Sequence, residues 1–205
     1  MRSVRHALMI VGFLALGLAV TTEAGTGRPG QQLRYRLDRV VGILEDDALK
    51  SQRDARRAAL RDAASEIFDF TEITRRSLGR HWQTATPAER EELTQLLAAL
   101  LERAYMGRIE QYSGERIVMA GESIDGDLAT VRTRLQRRGG VEIPVDYRLY
   151  RAGDRWLAYD VAVEGVSLIA NYRAQFNKII QTSSLKDLVD KLRKKQDEGL
   201  KASQK

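Results

Sequence analysis

The sequence predicts an α+β fold in which N-terminal helices and a four-stranded, curved antiparallel sheet pack with C-terminal helices. Three observations carry this. Apolar residues up to Ile109 recur every three or four positions; from Arg116 the period changes to two; and the run from Trp156 to Ile180 passes from an alternating strand directly into an amphipathic helix. With 205 residues the chain suits one domain with a substantial core.

Arg2, Arg5 and His6 precede the apolar run Ala7 to Val20, and Thr22-Glu23-Ala24 places small residues at both cleavage-determining positions, so residues 1–24 read as a secretory signal peptide. The run is about 14 residues long, short of the ~20 that a membrane span needs. Residues 25–32, with Arg28-Pro29, read as a flexible leader, 33–193 as the single domain and 194–205 as a polar tail that frays. Leu33, Leu37, Val40, Val41 and Leu44 mark the first helix, which ends near Asp46-Asp47. A second helix is predicted from Ser51 to Ile67, with arginines on one side and Ala55, Ala59, Leu60, Ala63 and Ile67 on the other. Asp69 and Thr71 are candidate caps for a short helical segment, Glu72 to Leu78.

At Thr86-Pro87-Ala88-Glu89 the signals converge. Thr86 can accept from the backbone, Pro87 suits the first helical position and Glu89 completes a capping box. The helix that follows carries Leu93, Leu96, Leu97, Leu100, Leu101, Ala104, Tyr105 and Ile109 in one stripe and stops at Ser113-Gly114. Turn signals at Asp125-Gly126, Gly139-Gly140 and Gly153-Asp154 then divide the period-two region into four strands. Pro144 cannot donate to a ladder, so a bulge or an unpaired edge is expected there. Several strands run near ten residues, which suits a curved sheet wrapping a space. Ile169, Tyr172, Phe176, Ile179 and Ile180 form the next helical stripe, and Ser184 can cap a last helix with Leu185, Leu188, Val189 and Leu192 inward.

Composition narrows the chemistry. There is no cysteine, which excludes thiol catalysis, thiolate metal sites and disulfides, and His81 is the one histidine beyond the signal segment, which disfavours a structural zinc site. The formal charge is +6. Arg53, Arg56, Arg57 and Arg61 recur on a helix face, and Lys186, Lys191, Arg193, Lys194 and Lys195 crowd the C-terminal helix. Acidic residues intersperse both runs, so solvated surface is the plain reading, and attraction to anionic head groups or an acidic partner the functional one. Export argues against nucleic acid.

Asp160 is the most tempting catalytic base, yet strict alternation turns it away from Tyr159, Val161 and Val163, and it is read as anchoring an arginine or a backbone turn. His81 lacks a nucleophile motif and is read as a surface or turn residue. Ser167, in Glu164-Gly165-Val166-Ser167, lacks the second glycine of a nucleophile elbow and is read as an N-cap. Tyr105, Tyr147, Tyr159 and Tyr172 fit simple core packing on periodicity alone, with a ligand chamber as the other reading.

Trp156/Tyr159/Asp160/Val161, Glu164 to Leu168, and Tyr172/Arg173/Gln175/Phe176 together stand as W-x-x-Y-D-V, E-G-V-S-L and Y-R-x-Q-F. Upstream are Phe68-Asp69-Phe70, Thr74-Arg75, Leu78-Gly79, Trp82 and Thr86 to Arg90. In this order, from Leu33 to Leu192, the chain closely resembles the MlaC or toluene-tolerance family. It departs where family members often have glycine after the penultimate helix: here Thr182-Ser183-Ser184 stands. The resemblance implies a periplasmic phospholipid-binding protein of an ABC lipid-transport system, acting in outer-membrane lipid asymmetry. It further implies a helix-lined curved sheet around an acyl-chain cavity, NTF2-like in appearance, with phospholipid as ligand and no cofactor or metal. Expected partners are an inner-membrane ABC transporter complex with its substrate-binding subunit and an outer-membrane lipoprotein/porin complex, served by a monomer.

The expected chamber places Val145, Tyr147, Leu149, Tyr159, Val161 and Val163 of the sheet opposite Leu97, Leu101, Tyr105, Ile169, Tyr172 and Phe176 of the helices. The chain is not expected to be an enzyme. The competing readings are a small isomerase- or hydratase-like cavity enzyme using Asp146 or Asp160 with Tyr147 or Tyr159, and a ligand-free adaptor.

Overall fold

The computed structural model describes residues 27–203; the expected signal peptide lies outside the described residues. Helix α1 (Pro29–Glu45) begins inside the stretch expected as a leader, because Pro29 sits in its first turn, where a missing N–H costs nothing. It buries Leu33, Leu37 and Leu44. Asp46 ends α1 and opens α2 (Asp47–Lys50) by accepting from the backbone N–H groups of Ala48 and Leu49 at 2.8 and 3.2 Å. Then come α3 (Arg53–Ile67), α4 (Phe70–Leu78) and α5 (His81–Thr84). Asp69 caps α4 through the Glu72 N–H at 2.9 Å. Helix α6 (Pro87–Glu110) starts on the complete capping box of Thr86 and Glu89.

The sheet has five strands rather than four: β1 (Arg116–Asp125), β2 (Leu128–Gln136), β3 (Glu142–Ala152), β4 (Arg155–Val163) and β5 (Val166–Ser167), side by side in chain order and all antiparallel. The additional strand is two residues long, too short to show a period. It returns along β4 because Glu164 and Gly165 take φ +50° and +80°, the conformation of a tight two-residue hairpin. Beyond β5 the edge of β4 is covered by Phe68, which bridges Ala158.

Pro144 lies in unbroken register opposite Arg134, and its carbonyl accepts from the Glu164 N–H at 2.9 Å. The irregularities lie elsewhere, between Met119 and Gly121 and opposite Arg148/Leu149, where Tyr159 is the extra residue of β4. Helix α7 (Leu168–Thr182) starts on Ser167, whose Oγ accepts from the Ala170 N–H at 3.0 Å. Helix α8 (Leu185–Ser203) is capped by Ser184 through the Asp187 N–H at 3.0 Å and runs to Ser203, into the stretch expected to fray.

Apolar packing falls into two main cores. One lies among α4, α6, α7 and α8, around Ile73, Leu93, Leu97, Leu101, Ile169, Phe176 and Leu188. The other is α1 on the sheet: Leu33 and Leu37 against Val131, Leu149, Trp156 and Ala158, with Ile67 of α3. A small third cluster of Leu44, Leu60 and Met106 joins α1 and α3 to α6, while Phe68 packs against both main cores. The principal neighbours of α6 are α4 and α8, not the strands.

Candidate functional site

Cross-strand partners share a face. By register Val145 is opposite Val163, Tyr147 opposite Val161 and Leu149 opposite Ala158, so all six point to the side of the sheet that α1 covers at one end. Leu149 and Ala158 are under α1 and fully buried, whereas Val145, Tyr147 and Val161 are half-buried and Val163 is exposed. Tyr105 on α6 and Tyr172 on α7 are likewise incompletely covered. They are close enough that Tyr105 adds to burial in raising the Tyr172 hydroxyl above the ordinary tyrosine value. Burial pushes the Tyr147 hydroxyl up to about 12. It is therefore a neutral donor at any physiological pH.

The expected chamber residues thus divide. Leu97, Leu101, Ile169 and Phe176 are buried within the helical core and Leu149 within the α1–sheet core. Of the others, Tyr172 packs against the helical core and Tyr147 against the α1–sheet core, while Val145 and Val161 are half-buried and Tyr105 and Val163 exposed. Tyr159 was expected beside Val161. As the bulge residue it instead sits beneath the Arg76 guanidinium, 3.6 Å from the ring centroid, and beside Tyr150, with ring centroids 6.5 Å apart. Two surface concavities, of about 540 and 350 Å³, lie elsewhere, one between α1 and β1 and one on α1 beside Glu66 of α3. Both are open to solvent, and their walls mix charged side chains (Arg28, Arg34, Asp38 and Glu122 in one, Arg36 and Glu66 in the other) with Tyr35 and, in the first, Met119.

The residues of the strand-to-helix motif hold a corner. Asp160 is 2% exposed, and its carboxylate accepts from Arg148 Nη1 (3.0 Å), Ser167 Oγ (2.6 Å) and the Ile169 N–H (3.0 Å). With both oxygens engaged and the side chain buried, Asp160 ties β3, β4 and the start of α7 together. Arg173 Nε donates to the Arg76 carbonyl at 2.8 Å, joining α7 to α4. Tyr150 donates to Asp69, which raises its hydroxyl, together with burial as the larger cause, to about 12. His81 Nε2 is 3.0 Å from Asn177 Oδ1, a link between α5 and α7.

Sequence reasoning did not find the arginine that Asp160 holds. Counting back from the Gly153-Asp154 turn sets Arg148 opposite Tyr159; only the bulge moves it opposite Asp160. The arginine row of α3 is also largely committed, since Arg57 binds Glu110 at 2.7 and 2.9 Å and Arg61 lies 3.6 Å from Glu102. Among the described residues no group of three His, Cys, Asp or Glu side chains could hold a metal ion, and no helix is long and apolar enough to cross a membrane.

Fold and site together define an α+β protein in which a helical body stands beside an open antiparallel sheet, with aromatic and aliphatic side chains at the border of the two. The family model described as "MlaC protein" matches residues 35–194, most of the chain, and the chain belongs to the MlaC family. It is similar, at 20% identity over 191 residues covering 89% of each sequence, to the intermembrane phospholipid transport system binding protein MlaC of Haemophilus influenzae (strain ATCC 51907 / DSM 11121 / KW20 / Rd). Its fold matches that of a phospholipid-binding protein from Ralstonia solanacearum, solved in complex with a phospholipid, with a TM-score of 0.76 and 22% identity over 84% of this chain and 98% of that one.

Proposed function

We propose that this protein is a soluble periplasmic phospholipid carrier, exported by a cleavable signal peptide, that moves lipid between the outer and inner membranes for an ABC-type transport system. The observation that carries the reading is the division of the apolar interior into two cores with Val145, Tyr147, Val161 and Tyr172 left half-buried and Tyr105 exposed beside them. A solid core needs no such border; a carrier does. Stripping a chain of about 15 carbons into water costs on the order of 12 kcal/mol at ~0.8 kcal/mol per methylene, so a carrier must supply apolar contact instead. In this reading the acyl chains enter between the sheet and α6, widening the border into the NTF2-like cavity, while the head group stays at the mouth, where its phosphate avoids unpaired burial. Membership in the MlaC family and the lipid-bound structural relative support the same ligand. The carrier exchanges lipid as a monomer with the inner-membrane ABC complex and its substrate-binding subunit, and with an outer-membrane lipoprotein/porin complex. It has no catalytic role.

Native mass spectrometry of protein purified from cells, followed by lipid extraction, tests this. Stoichiometric phospholipid is expected on the wild type and none on folded Tyr147→Glu or Val161→Glu. Lipid retained by either folded variant overturns the placement, and a wild type that never carries lipid overturns the function.

A further inference from the structure

The end of the sheet formed by the β2–β3 and β4–β5 turns carries exposed apolar side chains and uncommitted arginines together. Val141, Val163 and Val166 are 57%, 43% and 67% exposed. The two turns are neighbours, since the Glu164 N–H bonds the Pro144 carbonyl, and at ~3.3 Å per residue Val141 is about 10 Å from that bond. Val166 is opposite Val163, which is opposite Val145, so one face runs from Tyr147 outward to the tip. Arg116, Arg137 and Arg138 surround the same end and form no salt bridge among the described residues, whereas Arg134 is held by Glu142. Arg138 lies against the Gly114 turn, where a built Cβ would come 3.5 Å from its guanidinium, so the basic rim reaches the connection between α6 and β1. The acidic groups on this end are Glu115, Glu142 and Glu164. Glu115 is turned to the Ser113 N–H, which chiefly lowers its carboxyl, with Arg137 adding a smaller effect, and Glu142 is taken up by Arg134 and Gln136.

We propose that this end is a bilayer-contact surface for anionic phospholipid membranes, the valines entering the acyl boundary and Arg116, Arg137 and Arg138 engaging phosphates. The proposal rests on the carrier reading and adds where such a carrier meets lipid. Small apolar tips on adjacent hairpins, ringed by cations, fit the interface between head groups and chains better than the broad complementary face of a protein partner. Continuity of the apolar face from Tyr147 to Val166 gives a leaving chain an apolar path to the tip.

Sedimentation with vesicles of phosphatidylethanolamine containing 30% phosphatidylglycerol, against pure phosphatidylcholine, tests it on the full-length mature protein. The wild type is expected to partition onto the anionic vesicles, Val141→Asp with Val166→Asp and Arg137→Glu with Arg138→Glu each to weaken this at least tenfold, and Val166→Trp to show blue-shifted emission quenched by brominated chains. A wild type that stays in the supernatant, variants that bind as well as the wild type, or a Trp that stays water-exposed overturns the proposal. So do variants that keep vesicle binding and lose only capture by a partner protein complex. Native mass spectrometry of the same variants separates the two readings: bound phospholipid is expected to persist, and its absence from the wild type would count against the carrier rather than the surface.

Discussion

Asp160 is where a single residue decides most. A carboxylate at 2% exposure is tolerated only because an arginine, a hydroxyl and a helix N-terminal N–H all point at it, and removing it orphans the Ile169 N–H. Asp160→Ala is expected to cost about 2–4 kcal/mol, moderated by resolvation of the half-exposed Arg148, with Asp160→Asn intermediate, as read by urea unfolding. That Asp160 is structural was legible from strict alternation; the identity of its arginine was not. One extra residue, Tyr159, shifts the register from there to the end of β4, and no side chain announces such a bulge. The same shift explains why Val161 and Val163 share a face with Trp156 and Ala158, although alternation places them on opposite sides.

At the scale of elements, the caps were the most legible feature, because each is a local contract between neighbours: Thr86 with Glu89, Asp69 with Glu72, Ser167 with Ala170. What joins elements distant in sequence was not legible. The arginines of α3 read as a solvated row, yet Arg57 grips Glu110 at the far end of α6 in a two-point contact. That hydrogen bond holds the Glu110 carboxyl below the ordinary carboxylate range. The contribution is therefore complete above the unfolded value of about 4.3 and is lost as pH falls through the lower folded value. Glu110→Gln is expected to cost on the order of 1 kcal/mol at neutral pH and to unfold with a flatter acid limb, which paired melts at pH 7 and pH 3 would read.

For the whole molecule, fold class and element order follow from periodicity and turn residues, whereas the division of the interior into two cores does not, because a stripe of leucines says that it is buried and not against what. Leu97 and Phe176 were expected opposite Tyr147; they belong to a core that closes without it. A ligand bound at the border stabilises only the folded chain. Protein stripped of lipid by organic extraction and refolded is therefore expected to melt several degrees below protein as purified, and returning phospholipid to restore it. Equal melting temperatures would count against occupancy of the border.

Phe68 touches both cores at the covered edge of β4, whereas α6 has no strand as a principal neighbour. Phe68 is one stitch in a binding that also runs through the Asp160 corner and the cluster of Leu44, Leu60 and Met106, so the sheet side and the helical body are sewn together at their margins rather than glued face to face. Spin labels on β1 and α6 would read whether the two sides move apart, and shrinking Phe68 is expected to loosen one stitch.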